Sequence, residues 1–575
     1  MHLSPPTDLR VYHGSIEAAL EKLRSQRVIE RIWQRDETLW QHSTTKPAFG
    51  WLTIMDETLA EIERIKKLVI EIREAGLTQA VLLGMGGAST TSVVLRTIFG
   101  VKVDYLDLTI LNTTVPSAVL SVAEQLEPQR TLFILCTKSG QTVETMALLQ
   151  YFYQWMVGSV GEDQAGSHFI AITDRDTESE SFARSHGFRS ILIDNPEVVG
   201  VFSALSYFGM VPAALAGIDV IKLLQSGSRA AAEARRLGVD DQSAWLGAVL
   251  GALALAGRDK LTFIASAALG DLGIWLEQLI ATSTGKNGVG IVPVEGEALL
   301  KPRYYRQDRI FVYLRMVGDS ALDTAVEQLR EAGQTVLQFD ITFLNDLGAE
   351  FFRWQMAASV ASYLLGVNPC EFPKLYATKA AVLALTGSGQ TTSEAIDPQP
   401  LAESDGMTLL TTPNPSAAAE EKSDFEETIG AFLNAAVAQS SSQTGNSYFA
   451  LLAFLAPTPE IDDELHRLRT QIQRRTQLAT NIDYGPHLLH STAGLHLEDS
   501  GKGYFIQFTA NSLVDAPIPD ALDPAHSSLS FDQLTQIEAL VNWRLLVNHQ
   551  RNVIRIHLGD DPVASLAALT SLLHE

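Results

Sequence analysis

The sequence predicts an α/β protein whose parallel sheets are flanked by helices: two lobes of similar plan, then a third α/β unit at the C-terminus. Three observations carry this. From about residue 51 to 385 short apolar runs alternate with segments of helical period, and such alternation means parallel sheet covered on both faces. Two of the strands, near 81–83 and 132–136, empty into glycine-rich or polar loops that open the next helix. The pattern then breaks over 386–446 and resumes from Ser447.

Taken in order, residues 1–50 form an N-terminal arm with one long helix from Ser15 to about Trp40. Its apolar positions Ile16, Leu20, Leu23, Val28, Ile29 and Ile32 pack on the core or on a second subunit. The first lobe, 51–217, has a helix over 56–75 and strands at 80–83, 103–104, 132–136, 169–173 and 190–193. The second lobe, 218–385, has strands at 261–265, 310–314 and 335–339, with helices near 228–237, 245–256, 272–282, 321–332, 349–365 and 373–385. Residues 386–446, rich in Ser, Thr, Pro and Ala, read as a poorly packed, partly disordered connector with at most one helix near 425–437. The third unit, 447–575, has strands at 448–455, 503–508 and 553–558 and helices at 460–477, 531–548 and 562–573.

Composition narrows the function. A chain of 575 residues holds two to four domains, and its 46% hydrophobic content is that of a globular protein. No run of eighteen apolar residues occurs and the start lacks a signal-peptide pattern, so a soluble, cytoplasmic protein is expected. Cys136 and Cys370 have no metal-ligand spacing and are expected as buried thiols in a reducing compartment. The net charge of −24 argues against nucleic acid and anionic membrane as partners, since both are bound by clustered Lys and Arg.

The loop at 137–145, Thr-Lys-Ser-Gly-Gln-Thr-Val-Glu-Thr, carries the clearest chemistry. Ser139, Thr142 and Thr145 fall three apart, so their hydroxyls gather where a helix N-terminus presents free N–H groups and positive dipole, an arrangement suited to phosphate. The rival reading is a plain helix cap at Ser139 with solvated threonines. The other loop, Leu83-Gly-Met-Gly-Gly-Ala-Ser, matches a dinucleotide fingerprint only in part: Ser89 stands at the third glycine position, although Asp104 lies at a suitable distance. It also fits a tight strand-to-helix turn with no ligand. Both loops open helices of one sheet, and ligands of such sheets lie at the carboxyl ends of the strands.

With these loops, runs such as Phe202-Ser-Ala-Leu-Ser-Tyr-Phe-Gly, Ser283-Thr-Gly-Lys and Gly348-Ala-Glu-Phe-Phe-Arg-Trp are similar to the glucose-6-phosphate isomerase family, in particular its bacterial branch also found fused behind a transaldolase. The resemblance runs from about Ile29 to the C-terminus. It implies sugar-isomerase (SIS) lobes, a phosphorylated sugar as ligand, no cofactor or metal, and a homodimer. It also implies a reaction in which a glutamate moves a proton between C1 and C2, an arginine stabilises the enediolate, and a histidine and lysine assist ring opening. Position by position, Lys138, Ser139, Thr142 and Thr145 match the phosphate loop, Gly86 and Gly87 the glycine loop, Gln278 a substrate glutamine, and Lys379 the ring-opening lysine.

The residues that do the chemistry depart from the family pattern. Ala88 replaces a serine, leaving Ser89 as a partial substitute; Val201 stands at the arginine position; Thr282 stands at the glutamate position. Glu277, five residues earlier, points roughly 140° away on the same helix. His487, His490 and His496 lie in a segment resembling the family's His-Ser-Thr-Gly-Gln-Leu-His, and His490 and His496 are candidate substitutes, against a reading as surface residues of a polar turn. A general base contributes roughly 10²–10⁴-fold and a charge stabiliser roughly 10²–10³. The expectation is therefore a sugar-phosphate-binding protein whose isomerase activity is lost or strongly reduced. An active isomerase with a rewired site and a scaffold with a vestigial cleft are the alternatives.

Overall fold

The computed structural model describes residues 7–40, 43, 45–388, 394, 396–412, 424–441 and 446–573. Its first sheet comprises β1 (Gln79–Gly84), β2 (Asp107–Leu111), β3 (Thr131–Cys136), β4 (Phe169–Thr173) and β5 (Ser190–Ile193), all parallel and ordered β2-β1-β3-β4-β5. The second comprises β6 (Lys260–Ala265), β7 (Val292–Val294), β8 (Arg309–Met316) and β9 (Thr335–Ile341), again all parallel and ordered β7-β6-β8-β9. Continuous apolar runs explain both sheets. On β1, Ala80 and Leu82 enter one core while Val81 and Leu83 enter another on the opposite face, as the two-residue period of a strand requires.

Several expected elements differ. The long N-terminal helix is two, His13–Ser25 and Val28–Trp33, because Arg27 turns left-handed at φ 53° and ends the first ladder. The helix expected over 56–75 breaks at Glu61 into Ile54–Ala60 and Ile62–Glu74. The strand expected at 103–104 is a turn, with Asp104 at φ 67°, and β2 begins three residues later.

The connector expected over 386–446 is corrected within its described part. Here β10 (Gln399–Ser404) and β11 (Met407–Thr411) form a hairpin turning at Asp405-Gly406, both left-handed, and β11 pairs antiparallel with β17 (Asn552–His557). The hairpin buries Ala402, Met407 and Leu409, a period-two pattern easily hidden by the polar residues between. It extends a sheet ordered β10-β11-β17-β14-β12-β13, built with β12 (Tyr448–Phe454), β13 (Ala479–Tyr484) and β14 (Gly503–Thr509). A two-stranded ribbon, β15 (Pro517–Ile518) and β16 (Leu529–Ser530), precedes the last long helices.

The C-terminal unit packs onto the first lobe. Helix Val143–Val160, which follows β3, shares one apolar cluster with helix Phe531–Asn548 through Leu148, Phe152, Phe531, Leu534 and Val541. Helix Pro373–Ser388 joins the same cluster through Val382. Both cysteines are free and buried. Among the described residues no helix is long and apolar enough to cross a membrane, and no group of three or more His, Cys, Asp or Glu side chains is placed to hold a metal.

Candidate functional site

The turns after β1, β3, β4 and β5 converge at the carboxyl edge of the first sheet on a cleft of about 310 Å³. Ala88, Thr142, Val201, Thr282 and Lys379 all line it. Five positions spread over nearly 300 residues of sequence therefore share one space, closed on its far side by His490 from the C-terminal unit.

The glycine loop is shaped by packing. Gly86 sits at φ 58°, and a Cβ added there would lie 2.9 Å from His490 Cβ; a Cβ at Gly87 would lie 2.3 Å from the Gly200 carbonyl. Close approach between the two loops and His490, rather than a nucleotide, accounts for these glycines. Ser89 does not take the place of the missing serine: it is fully buried, it is not among the cleft-lining residues, and its hydroxyl donates to the Gly86 carbonyl at 3.1 Å.

In the other loop, helix Val143–Val160 begins after Thr142, and Thr145 occupies its first turn. Ser139 lies exposed ahead of the helix, accepting a bond from the Gln141 N–H at 3.4 Å. The Lys379 ammonium donates to Thr142 Oγ1 at 3.2 Å. Thr145 Oγ1 and Gln278 Oε1 are buried with no protein partner, two polar atoms on the cleft wall whose isolation is costly unless something fills it. Lys138 departs from expectation: its ammonium bonds Asp174 Oδ1 at 2.6 Å and the Asn195 carbonyl at 3.0 Å, with Asp194 at 3.5 Å, and so is neutralised from behind.

The histidine segment overturns the surface reading. His490 is buried and its Nε2 meets Glu144 Oε1 at 2.6 Å. Burial pushes the Glu144 carboxyl up, but the His490 charge and hydrogen bond, helped by Lys379, hold it below the ordinary carboxylate value. Burial in turn lowers the Lys379 ammonium, against the pull of Glu144. Glu144 escaped the sequence reading because its partner lies 346 residues away. The one signal was an acid between two cleft threonines on the buried side of a helix. His496 is not a cleft residue: it is 1% exposed, with Nδ1 3.0 Å from the Tyr448 hydroxyl and Nε2 3.4 Å from Asp483.

Gln278 and Thr282 face the cleft from helix Leu272–Thr284, Gln278 bonding the His490 carbonyl at 3.0 Å and the Thr282 hydroxyl folding back on the Gln278 carbonyl at 2.7 Å. Glu277 looks the other way, into a second cavity of about 360 Å³ that also holds Glu295, Asp271, Asp483 and Arg469. Burial, with Asp483 and Glu295 nearby, pushes the Glu277 carboxyl well above its ordinary value, and burial lifts Glu295 to about 7.

Fold and cleft together define an α/β protein of two parallel-sheet lobes with a ligand cleft at the strand ends of the first. Residues 54–289 match the family described as phosphoglucose isomerase, and over that stretch the chain is similar to glucose-6-phosphate isomerases. A glucose-6-phosphate isomerase of Thermus thermophilus is 33% identical over 245 residues, 41% of this chain and 55% of that protein. The isomerase of Leptospira biflexa is 22% identical over 443 residues, 66% of this chain and 96% of that protein. The chain thus spans about half the length of the first of the curated relatives it matches. Among solved structures, a glucose-6-phosphate isomerase of Chlamydia trachomatis superposes with TM-score 0.54 at 15% identity, over 65% of this chain and 86% of that one. A hypothetical protein of Thermus thermophilus superposes with TM-score 0.55 at 22% identity, over 66% of this chain and 98% of that one. At those identities the two structures speak for the fold alone.

Proposed function

We propose that the cleft binds a phosphorylated sugar and that isomerisation there is lost or strongly reduced, while proton exchange at the sugar's ring and hydroxyl oxygens is retained. The observation that carries this is the composition of the cleft wall. Polar groups suited to a phosphate sugar (Thr142, Thr145, Gln278, Lys379) line it beside a buried His490–Glu144 pair, but no carboxylate stands at Thr282 and no guanidinium at Val201. Ring opening needs a proton moved between oxygens, which an imidazole and an ammonium supply. Moving a proton between carbons needs a positioned base and a stabiliser for the enediolate, and the threonine and valine are neither.

Two measurements test this on the full chain. Glucose 6-phosphate and fructose 6-phosphate at about 100-fold over Kd should each stabilise the protein by ~2.7 kcal/mol in thermal or urea unfolding, and glucose should not. Coupled isomerase turnover should lie on the order of 10⁴-fold or more below an ordinary isomerase. Turnover within about 10³-fold of one defeats the reading. The His490–Glu144 contact favours one other reading, an active isomerase in which His490 takes the carbon-bound proton. Deuterium entering C2 of the sugar from heavy water, and its loss in His490→Asn, would establish that instead.

A further inference from the structure

The second cavity, of about 360 Å³, plays no part in the function proposed above, yet it sits where a ligand is expected. Strands of all three large sheets end on it: Asn112 and Thr113 follow β2, Glu295 follows β7, and Asp483 and Tyr484 close β13. Ligands of parallel sheets lie at such carboxyl ends. Gly296, Asp462 and His466 line the cavity and are themselves exposed, so solvent reaches it.

Its walls carry charges that do not meet. Arg469, on helix Pro459–Thr476, is 2% exposed; its Nη2 donates to the Glu295 carbonyl at 2.6 Å, and its Nε has no partner. Among the described residues this guanidinium forms no ion pair, and the Glu277 carboxyl, on the wall of the same space, forms neither an ion pair nor a hydrogen bond. Opposite charges buried apart bear the cost of desolvation without the attraction that offsets it, and a molecule bridging them restores that attraction. The acids on the wall, Asp271, Glu277, Glu295, Asp462 and Asp483, outnumber Arg469, so the molecule that fits carries more positive than negative charge. A bare metal ion does not fit. Among the described residues no three acid, His or Cys side chains come together to hold one, and it would leave Arg469 unmet.

We propose that this cavity binds a basic amino acid, with the carboxylate on Arg469, the α-ammonium at Glu295 and the side-chain ammonium at Glu277. The bond from Arg469 to the Glu295 carbonyl sets residue 295 beside the guanidinium, where the α-ammonium, one carbon from the carboxylate, meets it. The longer arm reaches Glu277. Burial first, with help from neighbouring acids, raises both carboxyls in the protein alone, and an ammonium at each supplies the counter-charge that lets it ionise. This site stands whether or not the cleft binds a phosphorylated sugar.

Calorimetric titration and thermal unfolding of the full chain with lysine, cadaverine and norleucine test the proposal, since cadaverine lacks the carboxylate and norleucine the side-chain ammonium. Lysine should bind roughly tenfold or more tightly than either analogue, the usual worth of a hydrogen bond to a charged group. Each preference should fall to one substitution: Arg469→Gln removes the preference over cadaverine, and Glu277→Gln the preference over norleucine. Absence of lysine binding at millimolar concentration, or equal affinity for lysine and either analogue, overturns the proposal. So does lysine binding that neither substitution weakens, because the ligand then sits elsewhere. The Glu277 carboxyl has no bond to lose, so Glu277→Gln keeps the fold and decides the matter even if Arg469→Gln does not fold.

Discussion

Glu144, paired with His490 on the cleft wall, and Glu277 with Glu295 in the second cavity are carboxylates in opposite states. On the cleft side, Glu144 has an imidazole at 2.6 Å and an ammonium close by, and its affinity for a proton is lowered. On the other side, Glu277 and Glu295 share their cavity with three further acids, Asp271, Asp462 and Asp483, and one arginine, and both are raised, Glu295 to about 7. Residue type is the same; the neighbours decide the charge. The difference also shows why the acid at position 277 is no substitute for one at 282. Glu277 lines the second cavity, among the acids that raise it, and not the cleft.

The largest test of this contrast moves a carboxylate from one face to the other. Thr282→Glu should place an acid on the cleft wall beside Gln278 and raise deuterium uptake at C2 of a bound sugar phosphate by roughly 10²–10⁴-fold, the usual worth of a general base. No gain, with the variant folded and still binding ligand, would mean that the helix face at 282 does not address the sugar's carbons.

Removing the paired acid comes next. Glu144→Ala leaves the buried His490 Nε2 without its hydrogen-bond partner and should cost about 1–3 kcal/mol at neutral pH. The folded-state affinity of Glu144 for a proton is lowered, so its stabilising effect is present above the ordinary value of 4.5 and lost as pH falls. The deficit of the variant in urea unfolding should therefore shrink below about pH 4.5; a deficit that is flat with pH would mean the loss is packing rather than charge.

The unpaired side predicts the reverse sign. Glu295 rises from 4.5 to about 7 on folding, so it favours the folded state below 4.5 and that advantage is lost as pH rises towards 7. Glu295→Gln should be up to about 3 kcal/mol more stable than wild type at pH 8 and no more stable at pH 4. Equal stability curves from pH 4 to 8 would break the contrast between the cavities.

The regular elements were legible in the sequence because strands buried on both faces announce themselves: 132–136 and 169–173 are unbroken apolar runs, and they are β3 and β4. The hairpin β10–β11 was not, since only Ala402, Met407 and Leu409 mark its buried face and polar residues separate them. That Thr142, Thr282 and Lys379 belong together was legible through the family motifs, and all three line one cleft. What no motif carried was pairing at a distance. That Glu144 meets His490 and that Lys138 turns to Asp174 are facts of tertiary approach between residues 346 and 36 positions apart. Spacing rules reach only across a few turns of one helix or a single strand pair.

The smallest expected effect separates a ligand site from a merely polar wall. Thr145 Oγ1 is buried on the cleft and has no protein partner, so in the empty protein its hydroxyl is an unsatisfied group. Thr145→Val removes that group at constant shape and should raise the stability of the unliganded chain by up to about 1 kcal/mol. If the hydroxyl exists to meet a phosphate oxygen, the same substitution should weaken glucose 6-phosphate binding by roughly tenfold, measured by calorimetry. Stability and affinity then move in opposite directions, the signature of a group kept for a ligand and not for the fold. A variant that gains stability and keeps full affinity would assign the phosphate to other donors of the loop, with Ser139 and the N–H groups ahead of helix Val143–Val160 the next to test.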